Sequence, residues 1–367
     1  MPSFLFPVPP VHPLATQACG CCFSRSSRNN TPMQDTAGSS LSRWEPSRVA
    51  IVGAGAMGTS LAAVVGHHTP VVMVCRNPAR AAQIFEHGAQ THDELSVSAR
   101  PIIVKSIAEL ADVGAINAVF VATKTTAIPQ VASELKPVLP RLTDQPDGVF
   151  VISYQNGIEP GRQLLSLLDY PRVLRMVLTF GAVLDPGAHS VRVTLNRTPH
   201  AIGSPDPTFR PVCEKIASLL TDSGFETRYV ESIEPLVWAK AIVNAAVNPV
   251  AALVNSTVTQ VMHAPSERIV EALLEEGIRV ALAQGIDLDK DYPHRVKRLL
   301  IEAGDHIPSM VEDIRAGRES EIGQLNQQII AYAHRLGVDV PTHEIIDALI
   351  ETFDWKIYHN QKPAIGS

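Results

Sequence analysis

Short apolar runs alternate with amphipathic stretches along the first part of the chain. The runs are rich in Val and Ile, which is typical of strands buried on both faces. They lie at Val49–Val52, in PVVMVCR, at 117–123 and in VFVISYQNG. Each is followed by a stretch with helical spacing, such as NPARAAQIFEHG or EPGRQLLSLL. Strands that alternate with such helices require right-handed crossovers, so the pattern predicts an α/β fold with a doubly wound parallel sheet.

The hydrophobic pattern changes character near residue 232. Before it, RVLRMVLTFGAVL, SVRVTLN and HAIGS are predicted to extend the sheet with strands of mixed direction. After it, helical periods dominate. One apolar stripe comprises Val270, Leu273, Leu274, Ile278, Ala281 and Leu282, and similar periods recur at 291–303, 309–316, 320–336 and 342–356. The pattern predicts an α/β domain over 47–231 and an all-α domain over 232–360.

The first 46 residues have no sustained period. They hold seven prolines and many serines, so they are predicted to be a disordered tail. Two alternatives stay open: a targeting segment, suggested by Arg25, Arg28 and Arg43, or a start assigned too early, with Met33 as the true start. The CGCC run could bind metal or be acylated, but it has no second ligand pair, so solvated thiols are the favoured interpretation.

Composition narrows the function classes. A chain of 367 residues exceeds the usual size of one core, and a formal charge of −6 provides no basic field for nucleic acid. No apolar run reaches the roughly 20 residues that span a bilayer. The five cysteines form no disulfide framework, which fits a reducing, cytoplasmic compartment. The histidines show no metal-site spacing such as H-E-x-x-H, so no metal is predicted.

A glycine-rich motif follows the first predicted strand. Gly53, Gly55 and Gly58 have the spacing G-x-G-x-x-G, and a helical pattern follows them. Gly53 would permit a tight turn, Gly55 would let the backbone approach a pyrophosphate, and Gly58 would let helix and strand pack closely. Together with the intervening Ala56 and Met57, this loop is predicted to bind a dinucleotide at a helix N-terminus, as in a Rossmann domain.

The end of the second strand indicates which dinucleotide is bound. Arg76 stands near the position where an NAD-selective protein places an acid for the ribose 2′-hydroxyl. A guanidinium can bind a 2′-phosphate, so Arg76 favours NADPH, with Arg80 as a second candidate contact. The alternative is that Arg76 is an ordinary solvated residue at a strand end.

The apolar helical stretch VWAKAIVNAAVNP carries three polar residues on one face. Lys240, Asn244 and Asn248 are spaced four apart, although a core helix has no structural need for them. Hydride reduction of a carbonyl leaves negative charge on oxygen, which an ammonium can stabilise and protonate. The carboxamides could hold the same substrate. Taken alone, Lys240 would be interpreted as a lysine that extends to solvent, but the two asparagines in register favour the catalytic interpretation.

These motifs resemble the ketopantoate reductase (2-dehydropantoate 2-reductase) family over the chain after residue 47. The resemblance rests on GAGAMG, VATK, QNG, LVWAKAIVNAAVNP and PSMVEDIRAGRESEI. It implies NADPH-dependent reduction of 2-dehydropantoate to pantoate, a step toward pantothenate and coenzyme A. It also implies that Lys240 is the general acid and Glu321 the active-site carboxylate. The implied substrate contacts are Asn156, Asn244, Asn248 and Ser309, with Lys124 and Asn156 beside the nicotinamide end of the cofactor.

Two of these assignments have alternatives that are purely structural. Glu319 and Glu321 both fall near the start of a predicted helix, where any acid is favoured by the helix dipole. Only the family pattern selects Glu321. Ser309 follows Pro308 and could be a helix cap as well as a substrate ligand.

Departures from the family pattern leave the substrate open. Gly323 and Gln324 stand where the family often has an acid and an aromatic residue, and Ala127 stands where it often has glutamine. The alternatives are therefore a reductase of another branched 2-oxo acid, or a non-catalytic NADP-binding sensor. A sensor would need none of the polar residues on the lysine helix. The oligomeric state is open, with a homodimer as one option.

Overall fold

A computed structural model describes residues 41–185, 189–289, 291–301, 305 and 307–360. The predicted fold class is confirmed: a mixed α/β region with a mainly parallel sheet precedes a helical region. Strands end at Tyr229, and the first long helix of the second region begins at Glu234.

The main sheet has eight strands, in the order β12 (Thr227–Tyr229), β11 (His200–Gly203), β8 (Val173–Val177), β7 (Phe150–Ser153), β6 (Ala118–Val121), β1 (Val49–Val52), β2 (Val71–Val74) and β5 (Ile102–Val104). All neighbouring pairs are parallel except β8 with β11, so the expected mixed direction is found at this edge.

A second sheet corrects part of the expected topology. The strands in TFGAVL and SVRVTLN do not extend the main sheet. They are β9 (Phe180–Leu184) and β10 (Val191–Asn196), in the order β4-β3-β10-β9 with β3 (Ala89–Asp93) and β4 (Ser98–Ala99).

The reason for the second sheet lies in helix α1 (Ala56–Val65). Every residue of α1 from Gly58 onward is buried, so this helix has no polar face to present to water. The main sheet covers one side of α1, and the second sheet covers the other. An all-round apolar helix needs such cover on both sides.

The remaining helices of the α/β region complete its layers. Apolar side chains pack on both faces of the main sheet and form two separate core clusters. Asn77 caps the second helix by accepting from the Arg80 N–H at 3.1 Å. The helices are α2 (Pro78–His87), α3 (Leu110–Val113), α4 (Ile128–Leu135), α5 (Pro160–Leu168) and α6 (Arg210–Asp222).

The predicted tail boundary at residue 46 is wrong for its last six residues. Residues 1–40, including the CGCC run, lie outside the described residues, but Leu41 and Trp44 are buried in the core of the α/β region. The Trp44 ring meets Phe150 edge-on at 5.4 Å. The Glu45 carbonyl accepts from the Asn117 side chain at 2.5 Å. One indole buries enough apolar surface to hold this short segment in place, even though it has no periodic pattern.

The all-α region is built around the helix that carries the lysine row, α7 (Glu234–Val254). It packs against the helices Glu267–Ala283 and Ser309–Arg315 in one apolar cluster. By length and composition alone α7 could also cross a membrane. However, 67% of its apolar 18-residue stretch is buried within the fold, which is typical of a core helix. The others are α8 (Val258–Met262), α9 (Glu267–Ala283), α10 (Tyr292–Ile301), α11 (Ser309–Arg315), α12 (Asn326–Leu336) and α13 (Pro341–Asn360).

One helix begins later than predicted. The segment expected to be helical from 320 forms only a 3₁₀ turn at Ile322–Gln324, and α12 starts at Asn326. Ser320 is drawn away by Asp354, which accepts from its N–H at 2.9 Å and its hydroxyl at 2.6 Å. Glu321 therefore lies outside the first turn of α12, so the helix dipole does not account for an acid there.

Candidate active site

The glycine-rich loop has the geometry of a dinucleotide cradle. Gly53 has φ +116°, and a Cβ on it would lie 3.0 Å from backbone atoms of Ala122 and Thr123. A Cβ on Gly58 would lie 1.9 Å from the Gly53 carbonyl oxygen, so this helix start fits only glycine. Gly55, in contrast, has nothing within 4 Å of its missing Cβ. The loop is thus closed toward the protein and open on the side where a pyrophosphate would lie, so the residues fit the cofactor.

Helix α1 begins directly after this loop. Its first residues, Ala56 and Met57, present N–H groups that no earlier turn can accept, together with the positive end of the helix dipole. This is the usual anion site of a dinucleotide-binding domain.

Two arginines border the loop on the β2 side. Arg76 follows β2 and is 43% exposed, and its guanidinium contacts Glu134 at 2.7 Å. Arg80 is more enclosed: it donates to Thr59 Oγ1 at 3.0 Å and to the Ala54 carbonyl at 3.4 Å. Arg80 therefore braces the loop, while Arg76 has the freer guanidinium.

The lysine of the polar row meets the turn that follows β7. Lys240 Nζ donates to Asn156 Oδ1 at 2.7 Å. The turn is fixed by Gly157, whose φ is +98° and whose missing Cβ would lie 2.8 Å from the Gln324 carbonyl. Two residues 84 positions apart in the sequence, one from each region, are thus brought into contact.

The surroundings of Lys240 lower the pKa of its ammonium to about 7. The main cause is desolvation by the protein atoms around it, although part of the side chain reaches a crevice. Repulsion from Arg175 adds to the effect, and attraction to Glu321 opposes it. In the structure desolvation exceeds the pull of the carboxylate.

Lys124 and Glu321 line one open cavity of about 610 Å³ between the two regions. Burial raises the pKa of the Glu321 carboxyl, while Lys124 and Lys240 both lower it. The cavity wall continues along α13, where Thr352 and Trp355 contribute. Gly323 and Gln324 also line it, which places the two departures from the family pattern at the cavity.

The other predicted substrate contacts lie along the same helix face and its neighbour. Asn244 and Asn248 follow Lys240 at successive turns of α7, and both are partly exposed. Ser309 is exposed at the first position of α11, which packs against α7. The alternative that Ser309 caps α11 is wrong, because Pro308 is the N-cap and no side chain caps it.

The groups that hold the Asn156 turn were not predicted from the sequence. Arg175 of β8 donates to the carbonyls of Gly157 and Ile158, the latter at 3.1 Å. Gln328 of α12 accepts from the Ile158 N–H at 2.8 Å. The one available signal was a charged residue in the apolar strand RVLRMV, the same kind of anomaly that marks Lys240.

No group of three or more His, Cys, Asp or Glu side chains within the described ranges is placed to hold a metal ion. Within the same ranges, Cys75 and Cys213 are buried free thiols.

Sequence comparison connects this site to known proteins. A sequence model described as "Ketopantoate reductase PanE/ApbA" matches residues 49–204, and one described as "Ketopantoate reductase PanE/ApbA C terminal" matches 232–353. The chain belongs to the ketopantoate reductase family. The second match begins between β12 and α7, and the two matches together cover the glycine loop, the Asn156 turn and the lysine helix.

Similar proteins agree with this membership. A 2-dehydropantoate 2-reductase of Archaeoglobus fulgidus is 27% identical over 307 residues, covering 83% of this chain and 96% of that protein. A crystal structure of a ketopantoate reductase from Ralstonia eutropha superposes with a TM-score of 0.74 at 23% identity, over 85% and 100% of the two chains. D-mandelate dehydrogenase with NADH and anilino(oxo)acetate gives 0.73 at 20% identity, over 85% and 99%.

Family membership sets the reaction class. The chain is an oxidoreductase of the ketopantoate reductase family, a nicotinamide-dependent family that acts on a small keto acid.

Proposed function

We propose that this ketopantoate reductase family member reduces 2-dehydropantoate to pantoate with NADPH, and that Lys240 is the general acid. The observation that supports the proposal most strongly is the Lys240 ammonium held on Asn156, coupled to Glu321 where the two regions meet. Pantoate formation would serve pantothenate and coenzyme A biosynthesis in the cytoplasm.

When bound, the cofactor supplies the hydride to the 2-oxo carbon of the substrate. The residues must then hold the substrate carbonyl in place and give its oxygen a proton. Lys240 Nζ carries that proton, and Asn156 fixes the direction in which the ammonium points. Asn244, Asn248 and Ser309 are assigned to the carboxylate and hydroxyl groups of the substrate. Glu321 would attract the ammonium and help to return a proton to Lys240 after turnover.

The pKa of Lys240 suits this role. A general acid works best when its pKa lies near the operating pH, and burial brings this lysine from 10.5 to about 7. The acid must be protonated to act. The rate of reduction should therefore be highest below about pH 7 and fall as the pH rises through that value.

The test of the proposed function is NADPH oxidation with a panel of 2-oxo acids. Ketopantoate should give the highest kcat/KM, because the family match spans both regions and the polar row is intact. Gly323 and Gln324 at the cavity motivate the second candidate, a different branched 2-oxo acid. A higher kcat/KM for such an acid would favour that candidate, and binding of NADPH without turnover of any acid would favour the sensor.

The preference for NADPH is expected to depend on Arg76. Arg76→Ala should weaken NADPH binding about ten- to a hundredfold and leave NADH binding unchanged, because a charge-assisted phosphate contact contributes roughly 1.5 to 3 kcal/mol. The half-exposed pair with Glu134 contributes little and can be exchanged for a phosphate. Fluorescence titration with both cofactors measures the ratio.

A matched control for Arg76 lies near the opposite edge of the sheet. Arg210 forms a comparable exposed pair with Glu214 at 2.8 Å on α6. Arg210→Ala should alter neither affinity. An unchanged NADPH to NADH ratio in Arg76→Ala would move the phosphate contact to another residue, with Arg80 the first to examine.

A further inference from the structure

A buried arginine lies behind the Lys240–Asn156 contact. Arg175 is only 7% exposed, although it carries a charge in the middle of an apolar sheet. Burial lowers the pKa of its guanidinium to about 10, so it remains a cation at neutral pH. A buried cation is costly unless its contacts compensate for lost water. Its position therefore calls for a specific role.

The contacts of Arg175 converge on one turn. Its two terminal nitrogens donate to the carbonyls of Gly157 and Ile158, the residues directly after Asn156. The fold leaves room for this fork, because a Cβ on Gly161 would lie 3.0 Å from Arg175 Cδ. Arg175, Asn156 and Lys240 also line the same narrow crevice.

We propose that Arg175 is a positioning residue for Lys240: its guanidinium fixes the backbone of the Asn156 turn so that Asn156 holds the ammonium, and its charge acts on that ammonium. The effect is indirect, since Arg175 reaches Lys240 through the turn and through space. The inference builds on the proposed function for its kinetic consequence. Its effect on the lysine itself can be measured without substrate.

Other charged groups near Lys240 and Arg175 determine how much Arg175 changes the pKa of the lysine. Glu321 attracts the Lys240 ammonium, and Arg175 repels it. Burial lowers the pKa of the His200 ring on β11, and the charge of Lys240 lowers it further. On its other side Glu234 and Glu159 partly balance the charge of Arg175, and Arg162 repels it. Removing Arg175 therefore removes the repulsive partner of Lys240 and leaves Glu321 in place.

Two substitutions separate the fork from the charge. Arg175→Lys keeps a cation but cannot bridge two carbonyls, whereas Arg175→Met removes both. Both should lower kcat by roughly tenfold or more, because small displacements of a catalytic group have large effects. Only Arg175→Met should move the Lys240 titration to higher pH.

The measurement is an NMR titration of the full-length, substrate-free protein labelled with ¹³C at lysine Cε, with the Lys240 signal assigned by Lys240→Arg. Activity across pH gives the kinetic counterpart. Arg48→Met is the matched control, because Arg48 also bridges two successive carbonyls, of Val113 at 2.9 Å and Gly114 at 2.8 Å, before the first strand. That control should leave both the titration and kcat unchanged.

The outcomes distinguish this inference from the proposed function. An unchanged Lys240 titration in Arg175→Met, or a loss of stability with normal kcat per folded molecule, would overturn the inference. A shifted titration in a protein that reduces no 2-oxo acid would support the inference and refute the proposed function. If Arg175→Met does not fold, Gly161→Ala displaces the fork while keeping Arg175, and it should lower kcat as Arg175→Lys does.

Discussion

Lys240→Ala should lower the turnover of 2-oxo acid reduction by roughly a hundred- to ten-thousandfold, the usual contribution of a positioned general acid. The NADPH dissociation constant should change little, because the lysine faces the Asn156 turn and not the glycine-rich loop. The substitution removes the proposed proton donor and also leaves the Asn156 oxygen without its ammonium. Stopped-flow measurement of hydride transfer, alongside NADPH titration, separates the two quantities.

Lys136→Ala provides the control for removal of a lysine. Lys136 lies on the surface after α4 with a long 3.9 Å contact to Asp169, so its loss should leave turnover intact. The fall in rate above about pH 7 in the wild type should also be absent from whatever activity Lys240→Ala retains. Near wild-type reduction by Lys240→Ala would refute the mechanism and reduce the polar row to a solvated helix face.

Trp44→Ala should lower the free energy of unfolding of the α/β region by about 3 to 5 kcal/mol, the usual cost of truncating a buried aromatic residue. The indole is 2% exposed and packs edge-on against Phe150, which in turn packs against Phe209 at 5.2 Å. Its removal leaves a cavity in the core beneath the sheet. Chemical denaturation followed by circular dichroism measures the change.

An exposed tryptophan serves as the comparison for Trp44. Trp355 is 56% exposed, so Trp355→Ala should change the free energy of unfolding by only about 0.5 kcal/mol. A chain that begins at residue 47 should show a loss similar to that of Trp44→Ala. If both Trp44→Ala and that shortened chain were as stable as the wild type, residues 41–46 would be a dispensable extension.

The sequence predicted those parts of the fold that depend on local pattern. The Val/Ile runs, the glycine spacing and the row on α7 each act over a few residues, and the strands, loop and helix lie where these patterns predicted. The position of β9 and β10 could not be predicted in this way. It depends on α1 needing cover on its second side, and that requirement arises only after the helix has packed on the main sheet.

The sequence also did not predict the effects of single residues whose partners lie far away along the chain. Trp44 binds its segment to the core through one ring, which leaves no period in the sequence. Ser320 delays the start of α12 because its partner, Asp354, lies 34 residues away. Arg175 acts on a turn that only the folded chain brings next to it. The Lys240 row could be predicted because three unexpected polar residues recur at helical spacing. Trp44, Ser320 and Arg175 each stand alone in the sequence.

The two-sided burial of α1 determines how the cofactor end of the protein behaves before binding. A segment opens locally only if the groups that cover it can separate, and α1 is covered by both sheets. The conformational entropy of its first turn is therefore lost when the chain folds rather than when a ligand arrives. The proposed anion site at Ala56 is therefore rigid in advance, and binding of a pyrophosphate there would require no ordering of the backbone that contacts it.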